Sequence, residues 1–122
     1  MMQLTPQMRI LVSVAPVDFR AGIDGLCRLC RTQLEAEPLS GAVFVFRNRR
    51  GTALKLLCYD GQGVWLCHKR LSVGRYRYWP RQTDARASEM LAHELQVLVM
   101  GGDPSGTRAA PPWRALTPAA ER

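Results

Sequence analysis

No run in this 122-residue sequence approaches the roughly 20 apolar residues that cross a bilayer. The opening Met1-Met2-Gln3-Leu4-Thr5-Pro6 lacks the basic-then-apolar order of a signal peptide, and Met8 to Val14 is too short for its hydrophobic region. A cytoplasmic protein with no membrane partner is therefore expected. There is no internal repeat. Carboxylates are few and scattered, whereas a two-metal nuclease or transposase centre needs about three that converge. The best candidates, Asp18, Asp24 and Asp60, each suit a turn or a helix cap. Four cysteines are present, and Cys27-Arg28-Leu29-Cys30 resembles half a metal site. Its potential partners Cys58, Cys67 and His68 are split between strands, unlike the paired knuckles of structural zinc sites. Both Cys27 and Cys30 fall inside a predicted helix, where a redox pair would start one. His68 next to Cys67 points to the other face of a strand, a poor geometry for a Cys–His dyad. The thiols read as small buried hydrophobes, so no catalytic residue, metal or cofactor is expected.

What the chain does have is positive charge in one place. The net charge is +7, large for this size. Residues 47–81 hold Arg47, Arg49, Arg50, Lys55, Lys69, Arg70, Arg75, Arg77 and Arg81 against a single acid, Asp60. The rest of the chain is close to neutral. Arginine strongly outnumbers lysine, and its planar fork of donors suits phosphate and guanine edges. A uniformly positive surface would speak only of solubility. A localised one points to a polyanionic partner, with nucleic acid first and an acidic protein or an anionic membrane behind it.

Hydrophobic periodicity sketches the elements. Residues 9–14 form a β-branched apolar run, a buried strand. Asp18 or Asp24 can cap a helix that runs to about Glu35, with Leu26, Leu29, Cys30 and Leu34 on one face. The period then changes from helical to alternating. Ala42–Arg47, Thr52–Tyr59, Val64–Leu71 and Arg75–Trp79 read as four strands joined by tight turns, of which Asp60-Gly61-Gln62-Gly63 is the clearest. A second helix is predicted from Glu89 to about Met100, with Met90, Leu91, Leu95, Leu98 and Val99 as its stripe. The expected fold is α+β: an antiparallel β-meander of four to five strands with two packed helices, in a single domain over 1–102. Residues 103–122, rich in Pro and Ala with only Trp113 and Leu116 to bury, are expected to be a flexible tail. If Tyr59 pairs with Val64, then Leu54, Leu56, Cys58, Trp65 and Cys67 share one sheet face. Lys55, Leu57, Tyr59, Leu66, His68 and Arg70 share the other. That second face either meets nucleic acid or is buried through Leu57 and Leu66, with its charges at the rim.

Several blocks resemble a known family. Val14-Ala15-Pro16-Val17-Asp18-Phe19-Arg20-Ala21-Gly22-Ile23-Asp24-Gly25-Leu26 is similar to the opening signature of the TnpB-type, second-reading-frame accessory proteins of the insertion sequence sixty-six group of bacterial mobile elements. Phe44-Val45-Phe46-Arg47-Asn48-Arg49-Arg50-Gly51, then Lys55-Leu56-Leu57 with Tyr59-Asp60-Gly61-Gln62-Gly63, resemble the next blocks. Lys69-Arg70-Leu71, Gly74-Arg75-Tyr76 and Trp79-Pro80 close the pattern. The family usually carries an aromatic pair before the Asp-Gly turn; here Cys58 precedes Tyr59, which removes a stacking face. The resemblance implies a small non-enzymatic protein needed beside a separate, larger transposase.

Together these readings set the expectations. Arg47, Arg49, Arg50, Lys55, Lys69, Arg70, Arg75 and Arg77 are the candidate phosphate contacts, with Tyr76 and Trp79 as stacking residues beside them. The partners are DNA and the element-encoded transposase, and a homo-oligomer is also compatible with the sequence. The rival is an interaction module whose basic face docks an acidic surface of the transposase without touching DNA. A metal-dependent nuclease is the weakest of the three. Asp18 and Arg20 are expected to order the turn into the first helix.

Overall fold

The computed structural model describes residues 8–81 and 85–106. Ile10–Ser13 form β1, and every one of its residues is buried. Val43–Arg47 form β2, whose first four residues are buried in the same way. Side chains alternate between the two faces of a strand, so burial of consecutive residues means that both faces of the sheet are covered.

Helix α1, Ile23–Thr32, connects these two strands, and β1 and β2 pair in parallel with Ile10 opposite Val43. A parallel pair requires such a crossover. The sheet is completed by β3 (Ala53–Tyr59), β4 (Val64–Arg70) and β5 (Ala87–Met90), in the order β4-β3-β2-β1-β5. The other three pairings are antiparallel. The fold is thus α+β with five strands and two helices, but not a plain meander. Consecutive apolar residues in β1 and β2 signalled burial and gave no information about strand direction.

Three further expectations change. Arg75–Trp79 is not a strand; the segment runs irregularly past the sheet end, with Tyr76 N–H donating to the Gly51 carbonyl at 2.8 Å. The fifth strand comes instead from Ala87–Met90, which had read as a polar link and a helix start, and it pairs with β1 through Met90 opposite Ile10. Helix α2 consequently begins later, spanning Ala92–Val99. Glu94 reaches back to accept from the Leu91 N–H at 2.8 Å, satisfying one of the donors that a helix start leaves open. At α1 the N-cap is Gly22, without a side-chain cap, so neither Asp18 nor Asp24 caps it.

The expected hairpin register holds. Tyr59 pairs with Val64, Leu57 with Leu66 and Lys55 with His68. One face of the sheet buries Leu11, Phe44, Phe46 and Leu57 against Leu26, Cys27 and Cys30 of α1. The other buries Ile10, Val12, Val43, Val45 and Cys58 against Leu95 and Leu98 of α2, with Tyr78 and Trp79 packed alongside. The Leu57/Leu66 face is thus buried beneath α1. Phe44 and Phe46 have no exposed surface; truncating either to Ala is expected to cost roughly 3–5 kcal/mol.

Among the described residues no helix is long and apolar enough to cross a membrane. Pro104–Gly106 form a short 3-10 turn with Pro104 buried; the rest of the expected tail, with Trp113 and Leu116, lies outside the described residues.

Candidate nucleic-acid interface

Strand directions decide where the charge goes. β2 runs parallel to β1, and two antiparallel steps lead from β2 to β4. The C-terminal ends of β1, β2 and β4 therefore lie together at one end of the sheet, beside the N-terminal ends of β3 and β5. Every link that leaves or enters there comes from residues 14–22, 48–52, 71–81 or the start of β5. Backbone bonds stitch these links together. Val17 N–H donates to Arg47 O at 3.0 Å, Leu71 N–H to Thr52 O at 2.9 Å, and Val14 N–H to Arg86 O at 3.1 Å.

The β2–β3 turn is the most sharply built part. Asn48 Oδ1 accepts from the N–H groups of Thr52 at 2.9 Å and Ala53 at 3.2 Å, while its Nδ2 donates to Thr52 Oγ1 at 2.9 Å. Gly51 takes φ 71°, a left-handed conformation that disfavours a side chain. This local frame leaves Arg49 and Arg50 exposed at the tip. Arg70 at the end of β4, and Arg75, Arg77 and Arg81 on the segment that follows, are exposed as well. Among the described residues the ion pairs are Arg9–Glu89, Arg20–Asp18 and Arg31–Glu37. None of the six arginines just named belongs to one.

Arg47 is a special case. It is half-buried, its guanidinium lies 5.6 Å from the Trp79 ring centroid, and its Nε is buried without a hydrogen-bond partner among the described residues. Burial pushes its pKa down from the ordinary arginine value, because desolvation disfavours the charged form. The cation rests on an aromatic face and has no carboxylate beside it.

Two predicted phosphate contacts sit elsewhere. Lys55 is buried, its Nζ donating to the carbonyls of Phe19 at 2.9 Å and Ala21 at 3.0 Å, and lying 4.9 Å from the Phe19 centroid. It holds the loop before α1 onto the sheet. Lys69 Nζ donates to Val99 O at 2.7 Å, at the C-terminus of α2, where a cation suits the helix dipole. Both ammonium groups bind this protein's own backbone. The predicted stacking residues also turn inward. Trp79 Nε1 donates to Ser13 O at 2.9 Å, and the ring packs against the core. Tyr76 is half-buried with its hydroxyl enclosed and unpartnered among the described residues, and burial pushes that hydroxyl's pKa up.

The same sheet end collects basic residues that the candidate set omitted. Arg81 was in the charged segment but not among the contacts. Arg20 sits on the 14–22 link, paired to Asp18 at 2.6 Å. That pair holds the Asp18 carboxyl down to about 2, chiefly through the Arg20 side-chain hydrogen bond. Arg86 reaches Gln33 O at 3.5 Å. Only the topology brings Arg20 and Arg86 here; no local signal in the sequence does.

The cysteines are separated by the sheet. Cys27 and Cys30 belong to the α1 side, while Cys58 belongs to the α2 side and Cys67 shares its face across the hairpin. All four are free thiols. Burial pushes the Cys30 thiol up to about 12 and raises Cys27 and Cys58 too, which disfavours the thiolate needed for metal binding or attack. Among the described residues no group of three or more His, Cys, Asp or Glu is placed to hold a metal. Asp60 is occupied in its turn, accepting from the N–H groups of Gln62 at 2.8 Å and Gly63 at 2.9 Å and from Trp65 Nε1 at 2.7 Å.

Over 96 residues the chain is 38% identical to y4jC, an uncharacterised protein of Sinorhizobium fredii, covering 79% of this chain and 80% of that one. A second uncharacterised protein of the same organism, y4hO, is 35% identical over 96 residues, covering 79% of this chain and 82% of its own. No solved structure matches the chain. The family described as IS66 Orf2 like protein matches residues 8–109, a span that includes the two core-building helices and the whole arginine-bearing end, and the chain belongs to that IS66 Orf2-like family.

Proposed function

We propose that this protein is a non-catalytic accessory factor that holds DNA through the arginine-bearing end of its sheet while a separate transposase does the chemistry. Membership of the IS66 Orf2-like family implies an accessory role in transposition, and direct DNA contact goes beyond it. One observation carries it: Arg49, Arg50, Arg70, Arg75 and Arg77 are exposed at a single end of the fold, outside every ion pair among the described residues. Unpaired like charges gathered on a braced turn are most stable with an anion among them. The repeating phosphates of a nucleic acid meet that need. Arg47, poised over Trp79, adds a sixth cation at the back of the group. Lys55 and Lys69 support the frame and leave the contacts to arginine. Such a factor works in the cytoplasm, where the element's DNA and transposase are.

Anisotropy with labelled DNA across a salt series tests this. Each phosphate neutralised on duplex DNA steepens log K against log[salt] by about 0.9; five exposed arginines therefore set a limiting slope of about −4.5. Charge reversal of Arg49 and Arg50 is expected to weaken binding and to flatten the slope. If the protein binds no DNA at low salt but binds purified transposase, and the same reversal removes that binding, the basic end is a protein-docking surface instead.

A further inference from the structure

Resting on the DNA-binding reading above, we infer that the basic end takes double-stranded DNA by its phosphates and discriminates against single strands. Proteins that hold single strands combine a positive groove with open aromatic faces on which successive bases stack. The sequence offers such aromatics next to the arginines, but the fold withdraws them. Trp79 has Arg47 over its ring at 5.6 Å, its indole N–H on Ser13 O at 2.9 Å, and the core beside it. Tyr78 packs against the same core, and the Tyr76 hydroxyl is enclosed. Phe19 meets His68 edge-on at 5.6 Å between centroids, and Lys55 Nζ sits 4.9 Å from the Phe19 centroid.

Among the described residues, the remaining accessible Tyr and Trp side chains lie at the other end. Tyr59 donates its hydroxyl to Gly61 O at 3.0 Å, and Trp65 is tied to Asp60 at 2.7 Å. Among the described residues, therefore, the arginine end presents charge without an exposed Phe, Tyr or Trp ring, and the exposed His68 is met edge-on by Phe19.

The spacing of the cations suits a duplex. Arg70 ends β4, and Arg49 and Arg50 sit in the turn that joins β2 to β3, the strand next to β4. Neighbouring strands are about 4.8 Å apart, so Arg70 and the tip start about 7 Å from each other. The grooves of B-DNA are about 6 and 12 Å wide, with a phosphate row on each side. The braced tip and the end of β4 can thus address the two backbones that border one groove. A flexible single strand offers only one row. Contact of this kind reads backbone and shape, and carries little base sequence.

The test uses the intact protein with a short mixed-sequence duplex and each of its component strands, in direct and competition anisotropy at low salt. The expected result is duplex affinity at least about tenfold above that of either strand, with the steep salt dependence of multiple phosphate contacts. Equal or tighter binding of a single strand overturns this inference while leaving the DNA-binding reading in place. Binding of neither form overturns the DNA-binding reading, and this inference with it.

Discussion

The two ends of the sheet treat charge in opposite ways. At one end, where the chain turns through residues 36–42 and 60–63, polar and charged groups have internal partners. Arg9 pairs with Glu89 at 2.9 Å, Arg31 with Glu37 at 3.0 Å, and Asp60 closes its own turn. At the other end Arg20 has Asp18, but Arg49, Arg50, Arg70, Arg75, Arg77 and Arg81 stand exposed outside any ion pair among the described residues. The same residue type is neutralised at one pole and left open at the other. Exposed ion pairs contribute little to stability, typically about 0–1 kcal/mol, so the contrast matters less for holding the fold together than for where a polyanion can sit.

The strongest way to break the contrast is to reverse it. Arg49→Glu, Arg50→Glu, Arg75→Glu and Arg77→Glu together are expected to lower duplex affinity by at least about a hundredfold and to remove most of the salt slope. The far-UV circular dichroism should stay unchanged, since all four side chains are exposed. Next comes Lys55→Ala, which acts on the frame. It leaves the Phe19 and Ala21 carbonyls unpartnered and opens a cavity, so urea unfolding should show a loss of roughly 2–4 kcal/mol. Molecules that remain folded should bind DNA as before; a large loss of affinity there would return Lys55 to the contact set.

Arg47→Met sharpens the comparison in another way. Removing a half-buried cation that lacks a carboxylate is expected to raise the melting temperature slightly while weakening DNA binding. The smallest effect is at Asp18. Its folded pKa of about 2 lies below the ordinary 3.8, so its contribution to stability is complete above pH 3.8 and is lost as pH falls through about 2. Thermal unfolding of Asp18→Asn should lose that portion of the acid dependence, and an unchanged acid limb would show that the Arg20 pair contributes nothing.

Much of this organisation could be read from the residues. The Asp60–Gly63 turn and the alternation on either side fixed the β3–β4 register, because a slip by one would turn every core side chain to the other face. The concentration of arginine between residues 47 and 81 was visible as composition. Direction and depth were not. β5 reads Ala-Ser-Glu-Met, a weak strand sequence that extends because β1 offers it an open edge. Arg75–Trp79 alternates like a strand, yet its aromatics are spent on packing and its backbone on the β2–β3 turn. Lys55 looked like a surface cation because nothing nearby in sequence reveals the two carbonyls, 36 and 34 residues earlier, that draw its ammonium inward. The contrast between the poles was hidden for the same reason, since it arises only when three separate links are brought to one end.

Amide chemical-shift mapping with duplex DNA tests that contrast most directly. Perturbations should concentrate at residues 48–52 and 70–77 and weaken as salt rises, with residues 59–64 and 36–42 unaffected. Perturbations centred on the Asp60 turn, or spread evenly over both poles, would contradict that contrast.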